Sequence, residues 1–397
     1  MFDSLISFAT GGLAQVGLLG MSVYILIVTQ LTIVTVTLYL HRSQAHRGVD
    51  FHPFLAHGFR FWAWLTTGMI TKEWVAVHRK HHARVETAED PHSPVVYGIG
   101  KVFWQGTELY RLAAKDPGST KKYGRGTPTD WLEQHVYTPH ALLGPSLMLG
   151  INMALFGVAG VAVWAIQMLW IPFWAAGVVN GIGHYWGYRN FETADTSRNL
   201  VPWGLWIGGE ELHNNHHAFP SSAKFALRRF EFDMGWLLIQ GLSRLHLARV
   251  LRVAPSLNER GNVNLPDAET LRAVLTHRFQ ALTEYYRTVI LPILADEVRN
   301  AGDHLRSLPA RLRRALANGG QWLDQDGRTR LRTAMEQRPR LRTVIAYRQR
   351  LVALLEQRSP EQALKALQEW VRDAERSGIS ALQQFAQRIK GYAIHAV

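Results

Sequence analysis

The amino-acid sequence predicts an all-α, multi-pass membrane protein, with a histidine-rich cap on its cytoplasmic side and a soluble helical extension at its C-terminal end. Three observations carry that prediction. Two long stretches, residues 13–40 and 141–183, contain no charged side chain. Clusters of histidine stand at or just past the ends of apolar sequence. Near Pro255 the composition turns from apolar and tryptophan-rich to polar and rich in Arg, Gln, Leu and Ala. Residues 1–255 are therefore read as a membrane domain and 256–397 as a basic helical region.

Length against bilayer thickness sets the spans. A helix over residues 13–40 would extend roughly 42 Å, against a hydrocarbon core of about 30 Å. Residues 141–183 suffice for two spans, about 141–158 and 160–183, with "FGVAG" as the turn between them. Residues 53–70 are different, being rich in aromatics and carrying His57 and Arg60. A single crossing there would put His78 on the membrane face opposite His46, so the segment is read as an interfacial or re-entrant helix. The opening "MFDSLISFATGG" lacks the basic n-region of a cleaved signal peptide.

Charge sets the orientation. Arg42, Arg47, Arg79, Lys80 and Arg84 flank the apolar stretches on one side, and the turn at residues 157–160 carries no charge. The positive-inside tendency then faces the histidine-rich side to the cytoplasm. Cysteine is absent, which excludes disulfides, Cys-ligated zinc and Cys-ligated iron–sulfur clusters within this chain.

Nine of the 18 histidines fall in four short places. "HRSQAH" holds His41 and His46, "HRKHH" holds His78, His81 and His82, "NGIGH" holds Asn180 and His184, and "HNNHH" holds His213, His216 and His217. On a helix, positions i, i+3 and i+4 share a face, so each H-x-x-H-H unit is expected to present three imidazoles to one point. His41 and His46 are about 140° apart on a straight helix. They either serve different ions or straddle a helix end. Nine nitrogen donors exceed one ion and suit two ions of a metal that accepts imidazole, of which iron also activates oxygen. Glu86, Asp90, Glu210 and Glu211 lie beside the clusters as candidates to hold the other ring nitrogens, and exposed carboxylates are common without such a role. His92 in "DPHSP" is a further candidate beside the site or facing a substrate. The remaining histidines, such as His135, His246, His277, His304 and His395, lack this patterning and are read as surface or packing residues. Trp62, Trp74, Trp186 and Trp206 could line an apolar tunnel, although each alone reads first as an interfacial anchor.

Taken together, order, spacing and membrane placement resemble the membrane fatty acyl desaturases, the stearoyl-CoA desaturase-like family and its bacterial relatives, over about residues 30–230. "HRSQAH", "HRKHH" and "HNNHHAFP" match the family's three histidine boxes, and "NGIGHYWGYR" resembles its N-x-x-x-H segment. Members typically have four spans; here one clear span, or one plus a re-entrant N-terminal helix, precedes His41. The resemblance implies O2-dependent removal of two hydrogens from an acyl chain of a phospholipid or acyl-CoA, with Δ9 as the family default. It implies two iron ions held by the nine histidines, with Asn180 acting through a water. A bacterial inner membrane location, with the site facing the cytoplasm, goes with it.

Electrons must come from elsewhere, since no haem-binding or dinucleotide-binding segment is recognisable. "GRGTPTD" lacks the strand–helix setting of a nucleotide loop. A separate ferredoxin-like or flavin reductase partner is expected. Membrane lipids are expected partners as well, and nucleic acid is not. The alternatives are a di-iron membrane hydroxylase or monooxygenase acting on a lipid or alkane, and a histidine-rich metal transporter. The transporter would place its ligands within the spans rather than past their ends.

After residue 256, apolar residues recur at helical spacing in "TLRAVLTHRFQALTEYYRTVILPIL" and "LRTVIAYRQRLVALLEQ". Ser359 and Pro360 form a helix start, and "NGGQWLDQDG" reads as loop. The final helices faintly resemble those at the C-terminal end of certain bacterial transposases, without a catalytic carboxylate set. An accessory helical bundle is the expectation.

Overall fold

The structure is a computed structural model that describes residues 2–300, 315, 320, 323, 325–336 and 338–395. His304 and half of the "NGGQWLDQDG" segment lie outside these residues, and from Gln325 that segment is already helical. The described residues are mostly helical, with three two-stranded sheets. The chain divides into two compact units, Met1–Arg189 with Asp195–Ala254, and Asn190–Ala194 with Pro255–Val397.

In the first unit, a helix over Leu18–Thr35 continues in wider π-type turns over Val36–Ala45. Its threonines do not break it. The hydroxyls of Thr29, Thr32 and Thr35 each donate to the carbonyl four residues earlier, at 2.7–2.9 Å, so none of these three donors is left bare in apolar surroundings. The helix begins at Leu18 rather than at residue 13, because Gly12 and Gln15 take positive φ and turn the chain. Before that turn lies a separate helix, Phe2–Gly11. The backbone N–H groups of Leu13 and Ala14 then donate to Ala154 and Leu155.

Pro53–Thr67 is the next helix, started by Pro53 and by the His52 ring, which accepts from the Phe54 N–H. Gly68, at φ 67°, ends it. Its fifteen residues reach about 22 Å. Arg60 within it is buried, and its guanidinium pairs with Asp130 at 2.5 Å and Glu133 at 3.5 Å. Thr71–Arg84 follows and carries the second histidine cluster.

The apolar stretch 141–183 forms a hairpin. Leu143–Phe156 turns at Gly157 into Ala159–Ile171, which continues in π-type turns over Pro172–Gly181. Gly157 sits at φ 61°, and a Cβ there would lie 2.2 Å from the Ala9 carbonyl, so the turn requires glycine. Two helices are long and apolar enough to cross a membrane, by length and composition: Leu18–Ala45 and Ala159–His184. In the second, only 22% of the apolar window is buried, unlike the core helix of a soluble protein. Leu143–Phe156 is apolar but shorter.

The second unit is a helical bundle with one antiparallel strand pair, Ser256–Glu259 against Tyr392–His395. Pro339–Leu355, Pro360–Glu375 and Ser380–Ile389 wrap a core centred on Trp370, Tyr285 and Phe385, whose rings meet edge to face. The Tyr285 hydroxyl donates to the Val344 carbonyl at 2.6 Å and the Trp370 indole to that of Tyr347 at 2.8 Å, so neither polar tip is stranded. Ser359 caps its helix as the sequence suggests, accepting from the Gln362 N–H. Segment 190–194 belongs to this unit through the Glu192 N–H, which donates to Thr283 Oγ1 at 2.8 Å.

Candidate metal centre

Four separate segments deliver the histidines. His41 is at the end of the long Leu18–Ala45 helix, His184 at the end of Ala159–His184, and the H-x-x-H-H units lie on Thr71–Arg84 and on the short helix His213–Ala218. All nine come together, but in two groups. His41, His46, His78, His82 and His216 form one; His81, His184, His213 and His217 form the other. Within each group the ligand atoms lie within 4.8 Å of one another.

The division corrects the expectation that each H-x-x-H-H unit aims at a single point. At about 100° per residue, i+4 lies some 40° past i, whereas i+3 falls about 60° short, so i+3 and i+4 diverge by about 100°. His78 and His82 accordingly join one group and His81 the other; His213 and His217 join one and His216 the other. Each unit thereby spans both groups. The question over His41 and His46 is also resolved. The π-type turns carry His46 N–H to the His41 carbonyl, an i→i+5 bond, which stacks residues five apart on one face. Their ring centroids are 5.0 Å apart.

The separations test whether a metal fits. Nε2 atoms face one another at 3.0 Å in His41–His216, 2.7 Å in His46–His78, 2.9 Å in His82–His216 and 3.0 Å in His184–His213. Imidazoles bound about 2.1 Å from one ion at right angles would have nitrogens about 3.0 Å apart. Nε2 of His81 and of His217 are buried and hydrogen-bond to nothing. A buried polar atom left in that way is costly, and coordination is what would satisfy it. The donor set therefore fits metal in both groups.

Protonation agrees with ligation at six of the nine histidines, whereas at His81 burial is outweighed by Asp90 with Asp195 and Glu86, which raise the imidazole. Burial holds the imidazoles of His46, His78, His82, His213 and His216 well below their usual range, and the neighbouring rings add to this. His217 is lowered to about 4 by burial, against the pull of Asp195. Neutral imidazole is the form that ligates.

Carboxylates hold the outer nitrogens. Glu210 accepts from His41 Nδ1 at 2.7 Å, Asp90 from His81 Nδ1 at 2.9 Å, and Asp195 from His217 Nδ1 at 2.9 Å. Glu86 lies 3.5 Å from His184 Nδ1 and accepts from the Thr196 backbone and hydroxyl. Burial would raise the Asp90 carboxyl, but His81, His92 and the Glu86 N–H together outweigh it and hold the group below its ordinary range; His41, Arg42 and Thr37 together lower Glu210 against burial in the same way. Glu211 turns elsewhere. Its carboxylate accepts from the backbone N–H groups of Trp206, Ile207 and Gly209, so it shapes the loop before the third cluster and holds no imidazole. His92 stacks on His81 with centroids 4.4 Å apart, and burial lowers it to about 3. Asn180 is half-buried in the π-type turns, four residues before His184.

Several residues at the site carry no signal in the sequence. Asp195 is in an irregular loop far from any histidine motif, and only the fold brings it to His217. Thr37 donates to Glu210 at 2.5 Å. Arg42, read from sequence as a flanking positive charge, is instead fully buried and paired with Asp233. Arg79, read the same way, binds the carbonyls of Gln44, Ala45, Tyr123 and Arg125. Among the tryptophans, Trp74 stacks on His78 at 5.0 Å, Trp62 donates to Thr32, Trp206 joins Trp170 and Trp174, and Trp186 is exposed.

A helical scaffold converges nine imidazoles from four segments into two adjoining sets, backed by carboxylates, that could each hold a metal ion. The chain belongs to the fatty acid desaturase family, whose model matches residues 18–234. Over 230 residues it is 30% identical to Delta-9 acyl-lipid desaturase 1 of Arabidopsis thaliana, covering 57% of this chain and 72% of that one. It is 30% identical over 254 residues to Delta-9 desaturase-like 1 protein of the same plant, covering 60% and 78%. Acyl-CoA 5-desaturase AL21 of Anemone leveillei is 29% identical over 232 residues, covering 56% and 69%. The chain is thus an oxidoreductase acting on fatty acyl chains with O2, in a family that is membrane-associated and generally dependent on two irons. Residues 279–395 match a transposase family model, in line with the faint resemblance of the last helices.

Proposed function

We propose that the protein introduces a cis double bond, at the Δ9 position, into a saturated acyl chain carried on a phospholipid or on CoA. The observation that carries this reading is the meeting of all nine histidines in two groups of five and four, bridged by both H-x-x-H-H helices. His41, His46, His78, His82 and His216 would hold one iron; His81, His184, His213 and His217 would hold the other, with Asn180 contributing through a water. Bound there, the irons would supply the oxidising power for an unactivated C–H bond that acid–base side chains lack. The protein's own part is to keep the imidazoles neutral by burial and to fix their orientation through Glu210, Asp90 and Asp195.

The helices that carry the ligands support the proposed membrane placement. Leu18–Ala45 and Ala159–His184 both bear site histidines at their C-terminal ends, so both would leave the bilayer on the site side, with Leu143–Phe156 returning between them. At about 42 and 39 Å they outreach a hydrocarbon core of about 30 Å, which leaves His41 and His184 in the headgroup region. Arg47 and Arg84 are exposed and, by the positive-inside tendency, favour a cytoplasmic orientation of the site, in what would be a bacterial inner membrane. A separate ferredoxin-like or flavin reductase would supply electrons, and the second unit would be an accessory bundle.

Gas chromatography of fatty acids from cells with and without the protein, separated by lipid class, tests the reading. A new Δ9-monounsaturated chain is expected, and the lipid class in which it first accumulates identifies the carrier. A hydroxylated product without an alkene would replace desaturation by hydroxylation.

A further inference from the structure

Arg42 follows the first site histidine directly and belongs to a helix apolar enough to cross a membrane, yet it is fully buried. Four hydrogen bonds from Nη1 and Nη2 explain how that is tolerated, although Nε finds no partner among the described residues. Nη1 donates to the Ala223 carbonyl at 2.7 Å and Asp233 Oδ2 at 3.1 Å; Nη2 donates to the Gly208 carbonyl at 2.8 Å and Asp233 Oδ1 at 2.9 Å. The guanidinium carbon stands 3.8 Å from the centroid of the Phe225 ring. Planar, two-pronged pairing of this kind is available to arginine and not to lysine.

Asp233 extends the link. Oδ2 accepts from the Phe225 N–H at 2.7 Å and Oδ1 from the Trp236 N–H at 2.9 Å, which caps the helix Met234–Arg244. Backbone has been cleared to admit the pair. A Cβ on Gly209, at φ 101°, would lie 2.4 Å from Arg42 Nη2, and one on Gly235 would lie 2.7 Å from it.

The two backbone elements so gripped both serve the five-histidine group. Gly208 leads into Glu210, the carboxylate that holds His41 Nδ1. Phe225 places its ring 4.8 Å from that of His216 and 5.6 Å from that of His41. His41 and His216 in turn face each other through Nε2 at 3.0 Å. At the four-histidine group the carboxylates Asp90 and Asp195 are held instead by the Glu86 N–H and by Ser197, and Arg189 donates to the Asp195 and Ser197 carbonyls at 2.8 and 3.1 Å.

We propose that the Arg42–Asp233 pair is a positioning device for the metal held by the five-histidine group, and sets the His41–His216 geometry through Gly208 and Phe225. The proposal rests on the reading that each histidine group holds one metal ion. The purified full-length protein is loaded with ferrous iron and assayed for iron per chain and for its Mössbauer spectrum, as wild type, Arg42→Lys and Asp233→Asn. Two irons in the wild type uphold the underlying reading, and fewer would overturn that reading by itself. With two in the wild type, both variants are expected to stay folded by circular dichroism, to fall toward one iron per chain and to lose one of two spectral components. Two irons with an unchanged spectrum in both variants would overturn the proposal. So would joint loss of both irons and helical signal in both variants, since the pair would then serve the fold alone.

Discussion

Asp195→Asn probes the carboxylate that only the tertiary structure reveals. Asp195 Oδ2 accepts from His217 Nδ1 at 2.9 Å, while Oδ1 accepts from the Ser197 N–H at 3.0 Å and from its hydroxyl at 2.5 Å. Asparagine keeps the shape but has one acceptor where two are needed. Turning its oxygen to His217 leaves its NH2 against the Ser197 N–H, and the reverse leaves the imidazole N–H facing a donor. Losing the charge on a buried hydrogen bond costs about 1 kcal/mol, and stranding a donor costs about 1–3 kcal/mol. A net loss of about 2–3 kcal/mol corresponds to roughly 30–140-fold in metal affinity, at and slightly above the upper end of the range of about 10–100-fold seen when such outer partners are removed. Competing iron from the purified protein with graded chelator measures it. One of the two binding steps should shift by that factor and the other should hold. Equal weakening of both steps, or none, would refute the assignment of Asp195 to the four-histidine group.

His216→Ala should abolish desaturation of a labelled acyl substrate while the protein stays in the membrane fraction, because His216 stands against both His41 and His82; retained turnover would contradict the two-group site. Gly144→Ala should destabilise the first unit by about 1–3 kcal/mol, since a Cβ there would lie 2.1 Å from the Trp64 carbonyl, and a chemical denaturation midpoint reads this out. Acid should weaken the metal-free protein in a defined window. His217 sits at about 4 when folded against 6.5 ordinarily, so the unfolded chain takes up the proton first as pH falls. Stability is then complete above about pH 6.5 and declines toward pH 4, the sense expected when the unfolded state binds more protons. Thermal melts of the metal-free protein across that range should show the decline, and an upward trend on acidification would contradict the buried, neutral imidazoles.

How much of this was legible in the chain follows from the range of the forces involved. The uncharged stretches, the four histidine motifs and the break in composition near Pro255 are local patterns. Helical periodicity and bilayer thickness convert them directly into helices, a candidate ligand set and an order along the chain. Glu86, Asp90 and Glu210 could be named because they neighbour those motifs. What neighbours in sequence cannot settle is direction. Glu211 adjoins Glu210, yet its carboxylate closes on three backbone N–H groups because the loop over residues 206–209 curls around it. The division into five and four histidines needed the actual helix phases and the π-type turns that bring His41 beside His46. Asp195 and the Arg42–Asp233 pair join segments 22 and 191 residues apart, which only packing brings together. Sequence alone determined which side chains could bind metal. Tertiary structure decided how they are shared between two groups and what holds each one in place.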